Sequence, residues 1–141
     1  MNVVVDTCVI IDALQQREPF YKDAQAICLA IANDKVTGFI TAKSVTDIYY
    51  LMHHFLHSDE NVRNILKNLL VIFEILDTTA LDCRIALTSP VTDFEDALLV
   101  ETAYRNGIEY IITRNINDYT HSTIPVITPS EFLKKISSNG E

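Results

Sequence analysis

Short runs of apolar residues alternate along the chain with longer segments in which apolar residues recur every three or four positions. The short runs are typical of strands that are buried on both faces of a parallel sheet, and they lie at residues 2–6, 38–41, 73–76, 110–112 and 126–127. The periodic segments predict helices at residues 8–14, 19–33, 42–56, 58–70, 93–106 and 129–136, with a short helix starting at residues 77–79. The alternation predicts an α/β fold with a mostly parallel central sheet flanked by helices on both faces.

The length and composition of the chain fit one compact domain. The chain has 141 residues, 48% of them hydrophobic, so we expect a single domain over residues 1–136 and a loose tail over residues 137–141. No apolar run is long enough to span a bilayer, so we expect no membrane segment and a cytoplasmic protein. Cys8, Cys28 and Cys83 are far apart, and we expect buried free thiols rather than a disulfide framework or a zinc site.

Two aspartates near the start of the helix at residues 93–106 are candidate site residues. Thr92 and Glu95 match a capping box, which would make Asp93 and Asp96 the first and fourth helical residues rather than caps. A spacing of 100° per residue places both aspartates on the apolar side of this helix. A carboxylate that faces a core is costly unless it is paired, hydrogen-bonded or bound to a metal, although helix capping is the simpler alternative for an acid at this place.

Other polar residues follow the predicted strands. Asp6 ends the first strand, Asp47 lies early in the helix after the second strand, and Asn115 follows the fourth. In a parallel sheet the strand carboxyl ends and the helix amino ends lie at one edge, where Asp93 and Asp96 would join these residues in a single crevice. Because carboxylates that converge repel each other, the pattern predicts a bound Mg²⁺, with Mn²⁺ as an alternative. Taken alone, Asp47 is more typical of a solvated residue at the margin of a helix face.

The charge and the remaining motifs narrow the function further. The net charge of −8 argues against binding of nucleic acid through bulk positive charge, but not against an acidic site that reaches phosphate through divalent cations. His53 and His57 have metal-ligand spacing, but they lack the glutamate of H-E-x-x-H and lie on the polar side of their helix, which disfavours a histidine metal site. The 3 glycines form no phosphate-cradling loop, which disfavours dinucleotide and nucleoside-triphosphate enzymes.

Four segments, taken in order and with their spacing, match the motifs of a known family. They are residues 5–8 (VDTC), 44–49 (SVTDIY), 93–98 (DFEDAL) and 112–119 (ITRNINDY). With these segments the chain resembles the PIN-domain ribonucleases, and in particular toxins of the VapC kind from prokaryotic toxin–antitoxin pairs. The resemblance covers nearly the whole chain and implies a single PIN-like domain.

The resemblance implies roles for four of the candidate residues. Asp6 and Asp96 match the two family aspartates that bind metal. Asp47 falls where many members have a glutamate, and its shorter side chain is expected to act through a water. Asn115 falls where many members have an aspartate, and its amide oxygen can still ligate or position water but removes a negative charge.

The residues around Asn115 complete the implied site. Asp93, as a further metal ligand, or Asp118 would restore the missing charge, although Asp118 is also typical of a turn. Thr113 is expected to orient the nucleophile or the phosphate together with Asn115. Arg114 and Lys43 are candidate phosphate contacts, with an ordinary surface charge as the alternative for each.

The implied function is metal-dependent hydrolysis of RNA by in-line attack that leaves a 5′-phosphate. Family members commonly form homodimers and are silenced by an antitoxin protein that covers the crevice, so both partners are expected here. The departures at Asp47 and Asn115 also fit a PIN-like fold that has lost catalysis and serves as a binding scaffold. A receiver-type signalling domain is disfavoured, because the chain has only Asp6 after the first strand and Thr128–Pro129 where a lysine is needed after the last.

Overall fold

The computed structural model describes the backbone of residues 1–140 and the side chains of residues 1–138. Parallel strands alternate with helices along this part of the chain. The elements are β1 (Asn2–Val5), α1 (Thr7–Gln15), α2 (Tyr21–Ala32), β2 (Thr37–Thr41), α3 (Ala42–Leu56), α4 (Asp59–Ile72), β3 (Glu74–Leu76), α5 (Ala80–Ala86), α6 (Phe94–Arg105), β4 (Tyr110–Ile112), a 3₁₀ helix (Ile116–Tyr119), β5 (Val126–Ile127) and α7 (Pro129–Gly140).

The five strands form one parallel sheet in the order β3-β2-β1-β4-β5. The central strand β1 pairs Val4 with Phe39 of β2 and with Ile111 of β4. The chain builds from β1 towards β3 on one side and adds β4 and β5 on the other, so the strand order reverses beside β1. Ligands of open parallel sheets bind at the carboxyl edge of such a reversal, and Asp6 follows β1 at this edge. The predicted α/β fold with a parallel central sheet is confirmed.

The sheet separates two apolar cores. Val3 and Val5 of β1 face a core that holds buried residues of α1, α2, α3, α4 and α7, whereas Val4 faces a second core shared with α5 and α6. This alternation follows from the two-residue period of a strand and explains why β1 is apolar throughout. Gly38 of β2 allows α2 to approach the sheet, since a Cβ there would lie 2.5 Å from Cδ1 of Ile31.

The carboxyl-terminal helix extends beyond its predicted end. The last apolar positions of α7 are Leu133 and Ile136, which pack against the first core, but the helix continues to Gly140. The helix therefore continues into the segment that was expected to be a loose tail, because backbone hydrogen bonding extends for a turn after the apolar pattern stops. Glu141 lies outside the described residues.

Two further expectations concern membranes and cysteines. None of the helices described for residues 1–140 combines the length and the apolar character that a bilayer crossing needs.

All three thiols are free, and Cys8 and Cys28 are half-buried, but Cys83 is exposed. The expectation of buried thiols is therefore wrong for Cys83, which lies on the solvent face of α5.

Candidate active site

A crevice of about 380 Å³ lies at the carboxyl edge of the sheet. It is lined by four acids, a lysine and several hydroxyl and apolar side chains. The acids and the lysine are Asp6, Asp47, Glu95, Asp96 and Lys43, and the hydroxyl groups are those of Thr7, Thr41, Ser44, Tyr50, Thr78, Thr102 and Tyr119. Three predicted site residues, Asp6, Asp47 and Asp96, therefore share one cavity, as the topology of a parallel sheet requires.

Asp6 is held in place by donors from three parts of the chain. Its backbone N–H donates to the carbonyl of Ile112, which continues the pairing of β1 with β4 by one residue. Its Oδ1 accepts the N–H of Thr7 at 2.8 Å, so the side chain caps α1. Its Oδ2 accepts the hydroxyl of Thr113 at 2.9 Å and the hydroxyl of Tyr119 at 2.9 Å. Burial raises the pKa of Asp6, and these hydrogen bonds only partly offset that effect.

Asp96, like Asp6, is a half-buried acid of the crevice, and it lies in the first turn of α6. Burial raises its pKa to about 6, and the negative charges of Asp6, Asp93 and Asp118 add to the shift. The hydroxyl of Tyr119 acts in the opposite direction. Asp6 and Asp96 are therefore close enough to repel each other in a site where water compensates them poorly.

Asp93 has a structural role that the sequence pattern assigned to another residue. It is the N-cap of α6, and its Oδ1 accepts the N–H of Asp96 at 3.1 Å. The predicted capping box of Thr92 and Glu95 is wrong, because the helix is capped one residue later by the side chain of Asp93. Asp93 is exposed and does not line the crevice, although its charge acts on Asp96.

Asp47 is tied to α6 through a lysine. The Nζ of Lys43 donates to Oδ2 of Asp47 at 2.7 Å and to Oε2 of Glu95 at 2.7 Å. Burial alone would lower the pKa of Lys43, but the hydrogen bonds with the two carboxylates outweigh it and the pKa is raised. Lys43 is thus a charged group of the crevice mouth, where it compensates two of the four acids.

The polar segment after β4 divides into residues with different roles. Thr113 is fully buried and connects Asp6 with Asn115, whose backbone N–H donates to the Thr113 hydroxyl at 3.1 Å. Arg114 instead donates from Nε to Oδ2 of the buried Asp12 at 2.7 Å. Its guanidinium also lies 4.3 Å from the ring centroid of Phe20. Arg114 compensates a buried carboxylate in this structure and does not line the crevice.

Asn115 and Asp118 lie beside the crevice rather than in its lining. Both are exposed, with Asn115 preceding the 3₁₀ helix and Asp118 inside it. Asp118 still contributes to the raised pKa of Asp96, so its negative charge acts on the crevice although its side chain lies outside the lining. The crevice therefore brings together Asp6, Asp47 and Asp96, whereas Asn115 and Asp93 lie outside its lining.

Tyr119 is the site residue that sequence reasoning missed. It is 3% exposed, packs in the second core and places its hydroxyl against Asp6, while the same hydroxyl also interacts with Asp96. Burial of the ring, together with the nearby negative charges of Asp6 and Asp96, raises the pKa of Tyr119 far above its ordinary value, so the hydroxyl stays protonated and acts as a donor. The available signal was an aromatic residue four positions after Asn115, the end of the polar strand exit, and such a residue is more typical of a core position.

The donor chemistry of the crevice suits a hard divalent cation. Among the described residues no group of three or more His, Cys, Asp and Glu side chains is arranged to hold a metal by itself. Mg²⁺, however, keeps several waters and is commonly bound through one or two carboxylates together with substrate phosphates. Asp6 and Asp96 provide such a pair, since both are desolvated and their mutual repulsion would be relieved by a cation.

The sequence and the fold were compared with known proteins. The family model described as "PIN domain" matches residues 2–117. A search of curated protein sequences finds no match.

Several solved structures share the fold. VapBC2 from Rickettsia felis, bound to a promoter DNA fragment, has 17% sequence identity and a TM-score of 0.63 over 91% of this chain and 98% of that chain. FitAcB from Neisseria gonorrhoeae has 18% identity and a TM-score of 0.67, with 91% and 98% covered. A toxin–antitoxin complex from Klebsiella pneumoniae has 23% identity and a TM-score of 0.64, with 90% and 97% covered. At these identities the likeness concerns the fold.

Proposed function

The chain belongs to the PIN domain family, and on this premise we propose that it is a metal-dependent endoribonuclease and the toxin of a toxin–antitoxin pair. The observation that carries the proposal is the pair of desolvated, mutually repelling carboxylates of Asp6 and Asp96 at the carboxyl edge of the sheet. Without a cation the repulsion between these carboxylates destabilises the folded protein, but with a cation both can act as ligands. A strongly shifted pKa in a cleft is typical of a functional site.

Asp6 and Asp96 would hold one Mg²⁺ or Mn²⁺. When bound, the ion supplies an activated water and stabilises negative charge on the scissile phosphate. Asp47 lies across the crevice and would hold a water through its carboxylate. Lys43 is placed to exchange its contact with Glu95 for a phosphate oxygen of the RNA, since its Nζ already lies at the crevice mouth. In-line displacement would leave a 5′-phosphate on the RNA product. The proposed location of the protein is the cytoplasm, where RNA substrates are present.

Residues outside the lining would act less directly. Thr113 orients Asp6 and is buried, so we assign it to positioning of the carboxylate. Asp93 and Asp118 would contribute negative charge near Asp96. Asn115 is exposed beside the crevice and would contact the phosphate or a water only after the RNA has bound.

The proposed partners are an antitoxin protein and a second copy of the chain. The structures with the same fold include a toxin–antitoxin complex, which supports the first partner. The exposed apolar residues on α3 support the second, because Leu51 and Phe55, one turn apart on this helix, are 45% and 52% exposed. Apolar side chains grouped on one helix face commonly mark an interface.

A binding scaffold without catalysis is the second candidate function. It is favoured by the engagement of Asp47 with Lys43 and by the position of Asn115 outside the crevice lining. The receiver-type alternative is not proposed, since the chain belongs to another family.

Cleavage of a mixed cellular RNA pool by the purified protein tests the proposal, with Mn²⁺, with Mg²⁺ and with EDTA. The wild type is compared with Asp96→Asn and with Asp23→Asn, which makes the same chemical change at an exposed position of α2 outside the crevice. We expect metal-dependent cleavage that Asp23→Asn retains and that Asp96→Asn reduces by about 100-fold or more.

Two other outcomes would contradict the proposal. A folded wild type that cleaves no RNA with either metal would favour the scaffold. Equal cleavage by all three proteins would indicate a contaminating nuclease and leave Asp96 without a catalytic role.

A further inference from the structure

The hydroxyl of Tyr119 is not needed for packing. The ring is buried in the second core, beside α6 and below the crevice, and a phenylalanine would fill the same space. The oxygen is instead directed at the two acids of the crevice, 2.9 Å from Oδ2 of Asp6 and in interaction with Asp96. A polar atom placed in this way inside a core requires an explanation from the site rather than from the fold.

The hydrogen bonds of Asp6 determine which of its oxygens is free. A carboxylate has about four lone-pair sites, two on each oxygen. Oδ2 accepts both the Thr113 hydroxyl and the Tyr119 hydroxyl at 2.9 Å, so its two sites are in use. Oδ1 accepts the backbone N–H of Thr7 at 2.8 Å, which leaves one site on that oxygen.

We propose that Tyr119 is a positioning residue that makes Asp6 a monodentate ligand, so that a divalent cation binds through Oδ1 alone. Its hydroxyl occupies one lone-pair site of Oδ2 and opposes rotation of the carboxylate. Thr113, directly after β4, supports the same orientation through its own hydrogen bond to Oδ2. This inference rests on the proposed metal site, and it adds a residue that holds the ligands without touching the ion.

The orientation has a predictable energetic consequence. Hydrogen bonds to ligating carboxylates fix their geometry, and loss of one typically weakens metal binding by about 10- to 100-fold. Removing the Tyr119 hydroxyl frees a lone pair of Oδ2 and allows Asp6 to rotate. When the Asp6 carboxylate loses this donor, its charge is less compensated and repels that of Asp96 more strongly. We therefore expect weaker cation binding without loss of the fold.

The test is a calorimetric Mn²⁺ titration of the full chain, with each variant first shown to be folded by urea unfolding in EDTA. The variant is Tyr119→Phe. The control is Tyr104→Phe, which makes the same change at an exposed position of α6, about 12 Å along the helix axis from Asp96. We expect the Kd for Mn²⁺ to rise about 10-fold or more in Tyr119→Phe and to stay unchanged in Tyr104→Phe.

A second variant keeps the inference testable if Tyr119→Phe does not fold. Thr113→Val removes the other donor to Oδ2 with little change of shape, and the same rise of Kd is expected. Unchanged or tighter Mn²⁺ binding in the folded variants would overturn the inference alone and leave the metal site in place. Absence of Mn²⁺ binding by the wild type would overturn the proposed function and this inference together.

Discussion

At the scale of single residues, the free-energy cost of ionising a partly buried carboxylate makes the stability of the protein depend on pH. Asp96 has a pKa of about 6 instead of its ordinary 3.8, chiefly because it is partly buried. Its folded-state pKa lies above the unfolded value, so the folded protein binds more protons than the unfolded chain between about pH 4 and pH 6. The contribution of Asp96 to the free energy of unfolding of the metal-free protein therefore falls as pH rises through this window.

The first prediction concerns Asp96→Asn in EDTA. At pH 7.5 we expect the free energy of unfolding to rise by about 1 to 2 kcal/mol, since the cost of the buried charge is removed and partial solvation reduces the effect. Near pH 4 the wild type and the variant should agree. Urea unfolding at both pH values measures the difference, and Asp23→Asn is the control. The same pH dependence in Asp96→Asn and the wild type would contradict the assignment of the shift to Asp96.

At the scale of elements, an ion pair between a buried aspartate and an exposed arginine connects α5 to α6. Asp82 is 2% exposed and forms the capping box of α5 with Thr79. Arg105 of α6 donates from Nε to Oδ1 and from Nη2 to Oδ2 of this carboxylate, at 2.9 Å each. The buried Thr102 also donates to Asp82 and lines the crevice, so the pair supports one wall of the site.

The second prediction concerns Asp82→Asn. The hydrogen bond with Arg105 lowers the pKa of Asp82 to about 2, which is below the unfolded value, so its contribution to stability is present above about pH 4 and is lost as pH falls towards 2. We expect the variant to lose about 2 kcal/mol at pH 7, because Arg105 and the amino end of α5 lose their charged partner.

Urea unfolding at pH 7 and at pH 3 measures this effect. The difference between the wild type and Asp82→Asn should shrink at pH 3, while Asp23→Asn should match the wild type at both values. A constant difference at the two pH values would show that packing, rather than charge, accounts for the loss.

At the scale of the whole molecule, the net charge of −8 is distributed unevenly. Four acids line one crevice, and two of them are compensated by Lys43. Asp6 and Asp96 are the pair whose repulsion a bound cation would relieve. We therefore expect a divalent cation bound between Asp6 and Asp96 to stabilise the protein more than general screening by salt does.

The third prediction is a metal-dependent rise in stability. Mn²⁺ at about 100 times its Kd should raise the free energy of unfolding by about 2.7 kcal/mol. The rise should be lost in Asp6→Asn. Thermal and urea unfolding with Mn²⁺, with NaCl of equal ionic strength and with EDTA separates specific binding from screening. Equal effects of Mn²⁺ and NaCl would favour the scaffold over the nuclease.

Much of this molecule follows from local patterns. The apolar runs and the helical periodicity predict the strands, most of the helices and the parallel sheet, because burial on one or two faces leaves a period in the sequence. The topology of a parallel sheet then brings Asp6 and Asp96 to one edge, since strand ends and helix starts must meet there. The chain itself therefore determines the fold class and the two central acids.

Tertiary structure decided the roles of the other polar residues. Asp6 meets Thr113 across 107 positions of sequence, and Arg114 meets Asp12 across 102. A local pattern reports how much of a residue is buried, but not which distant side chain it faces. For that reason the donor function of Tyr119, the commitment of Arg114 to Asp12 and the bridge of Lys43 from α3 to α6 emerge only when the elements pack together.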